Sequence, residues 1–215
     1  MSQQKEGKSV LVAGATGLVG RECVDLLMAN PAFTRIIALV RRPLGKEIES
    51  ERLKIEEVDF DHLDERPEVF SVNAIICALG TTMRQAGSEE AFRVVDYDYP
   101  LAIARLGFVR GARHFLLVSS MGADAASSVF YTRVKGEIEN AVAELGYASV
   151  TIVRPSLLVG ERPERRMGEE MAGRFAFLAP RRIRPVSAAL VAATLVRAAA
   201  EETPGKQTIE NSDIR

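Results

Sequence analysis

Residues 10–20 read Val10-Leu-Val-Ala-Gly14-Ala-Thr16-Gly17-Leu18-Val19-Gly20, an apolar β-type run followed by a glycine-rich turn and the start of an amphipathic segment that continues to Met28. That order predicts a buried strand entering a helix through a tight turn. The glycines are spaced three apart, unlike G-x-G-x-x-G, yet they stand at the same three tasks. Gly14 permits the turn, Gly17 lets the backbone approach a pyrophosphate, and Gly20 lets the helix lie close to its strand. Small residues also mark ordinary strand-to-helix turns. Here the apolar run before and the helix after favour a dinucleotide site.

Composition bounds the alternatives. A chain of 215 residues with 47% hydrophobic residues is long enough for one well-buried domain. A net charge of −1 without a basic arm argues against a nucleic-acid binder. Met1 to Lys8 is polar and forms neither a signal peptide core nor a membrane span, so no membrane association and a cytoplasmic location are expected. Cys23 and Cys77 lie on apolar segments, and His62 and His114 stand far apart, so no metal site is expected.

Outward from the turn, Asn30-Pro31 stops the first helix, and Arg35 to Val40 reads as the second strand. Its tip carries Arg41-Arg42 and no carboxylate. Guanidinium forks there suit a ribose 2′-phosphate, which favours NADP over NAD; the alternative is a solvated charged loop. Leu53 to Val58 reads as strand three, and Asp59 after it either accepts from an adenine amino group or simply ends the strand. Asn73 to Ala78 is strand four, with Leu79-Gly80-Thr81-Thr82 at its carboxyl end, where small residues let a cofactor cross the sheet.

Ser88 caps a long helix running toward Phe108, which Pro100 is expected to interrupt or kink. Strand five is His114 to Val118, followed by Ser119-Ser120. A helix spans about 129–145, and Ala148 to Val153 is strand six. The alternation predicts an α/β fold, a doubly wound parallel sheet with helices on both faces. Beyond Pro155 the pattern changes, and two helices, Met171 to Leu178 and Ser187 to Ala200, are expected in a small C-terminal lobe of about 156–215 built onto one domain.

Tyr131 and Lys135 fall four apart on one helical face. A nearby ammonium favours phenolate, bringing the tyrosine toward acid/base work near neutral pH, and the same ammonium can hold ribose hydroxyls. Ser119 or Ser120 can donate to a substrate oxygen on which charge develops. The spacing alone recurs by chance. Its weight comes from order: glycine turn, arginine pair, serines ending strand five, then tyrosine and lysine on the next helix.

These residues, with Asp59, Ala78-Leu79-Gly80 and Arg154-Pro155, resemble the short-chain dehydrogenase/reductase superfamily in its extended or atypical branch. The runs Ala78-Leu-Gly-Thr-Thr82, Val118-Ser-Ser-Met-Gly-Ala-Asp124 and Lys135-Gly-Glu137 look more narrowly like the Tat-interacting-protein-like oxidoreductases. The resemblance implies a Rossmann-like fold binding NADP(H), with Leu79, Gly80 and Leu158 lining the cofactor, Arg166 reaching it, and Ser120 as the catalytic serine. It also implies hydride transfer to or from a small carbonyl or alcohol with Tyr131 as acid/base. The alternative it carries is a catalytically weak, NADP(H)-sensing protein that controls a protein partner. A homodimer through the fourth and fifth helices is common in the superfamily. Asp96 stands where many members have asparagine, which departs from their proton relay.

Overall fold

The computed structural model describes residues 7–42, 50–159 and 184–215. Seven strands form one parallel sheet: β1 (Lys8–Ala13), β2 (Phe33–Val40), β3 (Leu53–Glu57), β4 (Ala74–Cys77), β5 (His114–Val118), β6 (Ser149–Arg154) and β9 (Gly205–Glu210). Their order is β3-β2-β1-β4-β5-β6-β9, and every neighbouring pair is parallel. Two short strands, β7 (Leu158–Val159) and β8 (Val186–Ser187), pair separately. The order reverses between β1 and β4, which opens a crevice at the carboxyl ends of the strands.

Parallel strands covered on both faces need apolar residues on both, and β4 and β5 are buried at every position. One face is covered by α1 (Leu18–Ala29) and α6 (Ala188–Glu201), which pack on each other and bury Val19, Cys23, Val191 and Leu195. The other face is covered by α4 (Tyr99–Val109) and α5 (Phe130–Ala143), with Ile103, Phe115, Ile138 and Val142 fully buried. The doubly wound expectation is therefore met. The cap read from sequence is formed, Ser88 accepting from Ala91 N at 3.1 Å, and Ser187 caps α6 in the same way, accepting from Leu190 N at 3.2 Å.

Two features differ from the sequence reading. β9 was not expected. Its sequence, Gly-Lys-Gln-Thr-Ile-Glu, is polar and leaves four of six residues exposed, because an edge strand buries little and carries no apolar signal. The interruption expected at Pro100 takes an unexpected form. After the short α2 (Met83–Ala86), α3 (Glu89–Arg93) leads into one π-helical turn, Val94–Asp98, before α4, with the Tyr99 N–H donating to the Val94 carbonyl. The widened turn accommodates the proline with helical backbone on both sides, and it sets the direction of Asp96. The expected helix at Met171 to Leu178 lies outside the described residues.

Candidate functional site

The glycine turn has the geometry its tasks require. Gly14 has φ +82°, and a Cβ there would stand 2.6 Å from the Ala78 carbonyl oxygen where β1 and β4 end side by side. A Cβ on Gly20 would lie 2.0 Å from the Gly14 carbonyl oxygen, so α1 sits against its own turn. Gly17 caps α1 without any side-chain hydrogen bond, and no acidic side chain occupies the first turn. The helix thus presents its opening amides and positive dipole end with no acidic side chain of its own first turn beside them. That cradle fits a dinucleotide diphosphate.

Two clefts open on either side of this turn. The arginine cleft, about 750 Å³, is lined by Thr16, Arg41, Arg42, Glu57, Asp59, Phe60, Asp61 and Tyr99. Both arginines are exposed. Asp59 turns one carboxylate oxygen onto the Asp61 N–H at 3.0 Å, and the Tyr99 hydroxyl donates to Asp61 Oδ1 at 2.8 Å. Burial and that carboxylate push the Tyr99 phenol up to about 12. Phe60 and Tyr99 rings stand 5.4 Å apart and give the cleft an aromatic wall suited to a flat base.

The tyrosine cleft, about 460 Å³, brings together Gly17, Leu18 and Val19 from the turn with Ala78, Leu79 and Gly80 after β4, Ser119 and Ser120 after β5, Tyr131 and Lys135 on α5, and Leu158. Residues from five separate stretches thus meet at the crevice. Arg166 lies outside the described residues. The two serines part company. Ser119 donates its hydroxyl to Glu139 Oε1, and Glu139 is held by Arg154 at 2.6 and 3.0 Å. Among the described residues the Ser120 hydroxyl has one hydrogen-bond partner, the Met121 carbonyl, at 3.4 Å, which is beyond a good O–H···O distance. Ser119 is committed to the core, so Ser120 is the serine available to the cleft.

Lys135 corrects the electrostatic reading. Its ammonium lies 2.7 Å from Asp96 Oδ1, with 6% of its side chain exposed and none of the aspartate's. The other oxygen, Oδ2, accepts the Thr81 N–H at 2.8 Å. Oδ1 has the ammonium beside it but no well-aligned hydrogen bond. Burial works against the charge on Lys135, but Asp96 and Tyr131 outweigh it and hold the ammonium above the usual lysine range. The lysine beside Tyr131 is therefore a partnered cation, not a free one. From the sequence alone Asp96 has no assigned role. The available signal was its place on the buried stripe Phe92, Asp96, Ile103 of the helical run, where a carboxylate requires a cation.

The remaining ionisable candidates are structural. Cys23 and Cys77 are fully buried, and desolvation pushes both thiols up to about 12. His114 is buried against the Thr151 hydroxyl at 2.9 Å, while His62 is exposed. Among the described residues no group of three or more His, Cys, Asp or Glu could hold a metal ion, and no helix is long and apolar enough to cross a membrane.

Comparison with known proteins agrees with this geometry. The family described as NAD(P)H-binding matches residues 14–202. The chain is 39% identical over 172 residues to Protein HTATIP2 of Rattus norvegicus, spanning 79% of this chain and 71% of that protein. It is 38% identical over 159 residues to Protein FMP52, mitochondrial, of Candida albicans, spanning 73% and 69%. Among solved structures, the Bordetella bronchiseptica enzyme WbmH in complex with NAD+ superposes with a TM-score of 0.74 at 12% identity, covering 95% of this chain and 76% of that one. The Thermotoga maritima UDP-glucose 4-epimerase with UDP-glucose gives 0.65 at 13% identity, covering 96% and 88%. At such identities these two establish the shared fold. The cytoplasmic expectation is overturned, since related proteins of Candida albicans, Emericella nidulans and Coccidioides immitis are named mitochondrial. The glycine cradle at the sheet crevice, the family match over most of the chain and the relatives at 39% identity lead to one conclusion: the chain belongs to the NAD(P)H-binding family, in its Tat-interacting-protein-like branch.

Proposed function

We propose that the protein is an NADP(H)-dependent oxidoreductase of the short-chain dehydrogenase/reductase type, acting on a small carbonyl or alcohol with Tyr131 as acid/base. The observation that carries this reading is the meeting of Tyr131, Lys135 and Ser120 with the opening turn of α1 in one cleft. Gly14, Thr16, Gly17, Leu18, Val19 and Gly20 would hold the diphosphate, and Ala78, Leu79, Gly80 and Leu158 would hold the remainder where it crosses the crevice. A nicotinamide dinucleotide, when bound, supplies or accepts the hydride. Tyr131 transfers the proton to or from the substrate oxygen, and the Ser120 hydroxyl donates to that oxygen as charge develops on it. Lys135, fixed by Asp96, keeps a positive charge beside the phenol and offers its remaining donors to ribose hydroxyls. Arg41 and Arg42 favour NADPH through its additional phosphate, and Asp59 keeps one oxygen for the adenine edge.

Substitution of Tyr131 by Phe tests the chemistry. Carbonyl reduction should fall by about 10²–10⁴-fold in kcat, while NADPH affinity measured by its fluorescence stays nearly unchanged. Undiminished turnover would remove Tyr131 from the mechanism. Saturable NADPH binding with no turnover of any carbonyl by the unmodified protein would transfer the role to cofactor sensing with a protein partner.

A further inference from the structure

We infer that Met121 and Leu157 determine substrate specificity, making the outer part of the tyrosine cleft a seat for the alkyl or aryl body of a neutral aldehyde, ketone or alcohol and not for a substrate bearing a carboxylate or phosphate. The inference names the substrate class of the oxidoreductase reading above and rests on that reading only for the reduction itself. The seat stands on the lining of the cleft.

Three observations carry it. Eight large apolar side chains are exposed among the described residues, and they are not scattered: Met121 and Leu157 line the tyrosine cleft, and Met83, Val129 and Val159 each stand within two residues of its lining. Single exposed apolar side chains are ordinary, whereas a group of them around one concavity marks the binding of an apolar ligand. Met121 and Leu157 are also held in place. The Met121 N–H donates to the Pro155 carbonyl at 2.8 Å, and Leu157 is fixed from both sides, the Ser156 N–H donating to Asn211 Oδ1 at 2.9 Å and the Val186 N–H to the Leu157 carbonyl at 3.0 Å. Backbone so anchored keeps Leu157 56% and Met121 38% exposed, apolar surface that water penalises and a bound hydrocarbon covers.

The third observation concerns charge. Among the described residues the lining of this cleft contains no arginine, and its two charged groups, Asp96 and Lys135, face each other at 2.7 Å. Arg154, behind Ser119, is held by Glu139 and Glu210. The other polar side chains of the lining are hydroxyls and the Gln85 amide, which satisfy a carbonyl or hydroxyl oxygen but neutralise no charge. A carboxylate brought beside Tyr131 would lose its water and gain no cation of its own. The cleft of about 460 Å³ must also take the nicotinamide end of the cofactor, so the apolar body it seats is a short chain or a single ring.

The test uses the full chain saturated with NADP+ and measures by calorimetry the binding of octanamide, a neutral carbonyl on an alkyl chain that accepts no hydride, against octanoate, its anionic counterpart of equal length. Octanamide should bind about 10-fold or more tighter than octanoate. Lengthening the chain from butanamide through hexanamide should tighten binding by about 2–4-fold per methylene until the seat is filled. Leu157→Asn and Met121→Gln, both at exposed positions, should each weaken octanamide by about 5–10-fold with the melting temperature held, while Val109→Asn, at an exposed apolar position on the end of α4, should leave its binding unchanged. Octanoate binding as tightly as octanamide, octanamide binding indifferent to both cleft substitutions, or no saturable binding of octanamide would each overturn the inference. In turnover with NADPH, octanal should show a higher kcat/KM than propanal and than its own ω-carboxylate. Octanal reduced no better than these two would overturn the inference and leave the oxidoreductase reading standing. Octanamide binding that depends on Leu157, without reduction of octanal, would refute the oxidoreductase reading and leave the apolar seat intact.

Discussion

In the tyrosine cleft, Lys135 and Asp96 are paired 2.7 Å apart and almost wholly out of water, and behind them Glu139 is forked by Arg154 and bonded by Ser119. In the arginine cleft, Arg41 and Arg42 stand exposed, and Glu57, Asp59 and Asp61 line the same hollow from the exposed end of β3. Both clefts lie at the carboxyl edge of one sheet and both are rich in charge. They differ in what water does to that charge. The buried pairs have geometry fixed by packing and lose heavily when one partner is removed, whereas the exposed charges are screened and act on a ligand more than on the fold.

The sharpest way to break this contrast is on the buried side. Glu139→Ala removes the carboxylate that Arg154 and Ser119 share, leaving Arg154 with Glu210 at 3.1 Å and Ser119 without its acceptor. Loss of one partner of such a pair costs about 3–5 kcal/mol, which in a chain of this size lowers Tm by roughly 6–20 °C. A melting curve unchanged by the substitution would mean the network contributes nothing to the fold. Glu68→Ala, which removes a partner of Arg66 on the surface, should leave the curve unmoved.

A second buried group gives the contrast a pH signature. Burial lowers the His114 pKa from 6.5 to about 4, so the folded protein keeps the ring neutral while the unfolded chain protonates it near its ordinary value. The stabilising contribution is fully present above about pH 6.5 and is lost as pH falls toward 4, amounting to about 3 kcal/mol across that window. Denaturant midpoints between pH 4 and 7 should therefore fall less steeply in His114→Gln, which keeps a donor toward Thr151 and has no ring to protonate. Equal slopes in the two proteins would show that the ring does not control acid stability.

The same distinction explains what could be read from the residues in order. The core strands, the glycine turn and the Tyr131–Lys135 spacing depend on local pattern: short β-branched apolar runs bounded by turn residues mark buried strands, and residues four apart on a helix share a face whatever surrounds them. Ser119 and Ser120 could not be separated by pattern, because only the arrival of Glu139 from α5 commits the first and leaves the second. Asp96 was visible but without meaning until the π-helical turn brought it to Lys135. β9 escaped because an edge strand with alternating half-buried and exposed residues has no run of apolar side chains to announce it. What depended on contact between distant segments was therefore hidden, and it is also what supplies the electrostatic order of the tyrosine cleft.

The smallest expected effect lies in the arginine cleft and sharpens the comparison from its exposed side. Arg41→Ala combined with Arg42→Ala should weaken NADPH binding by about 10-fold, the scale of one lost charge-assisted contact, and leave NADH binding nearly unchanged. The unmodified protein should accordingly gain more thermal stability from NADPH than from NADH at equal concentration, and the double variant should lose that difference. Because both guanidinium groups are exposed, the preference should shrink as salt is raised. The carboxylates of Glu57, Asp59 and Asp61 oppose the arginines in the same hollow, so the preference is a difference between attraction and repulsion acting on one phosphate. Equal losses for NADPH and NADH in the double variant would show that the arginines serve the diphosphate or the surface and would withdraw the NADP assignment, leaving the glycine turn as the cofactor anchor.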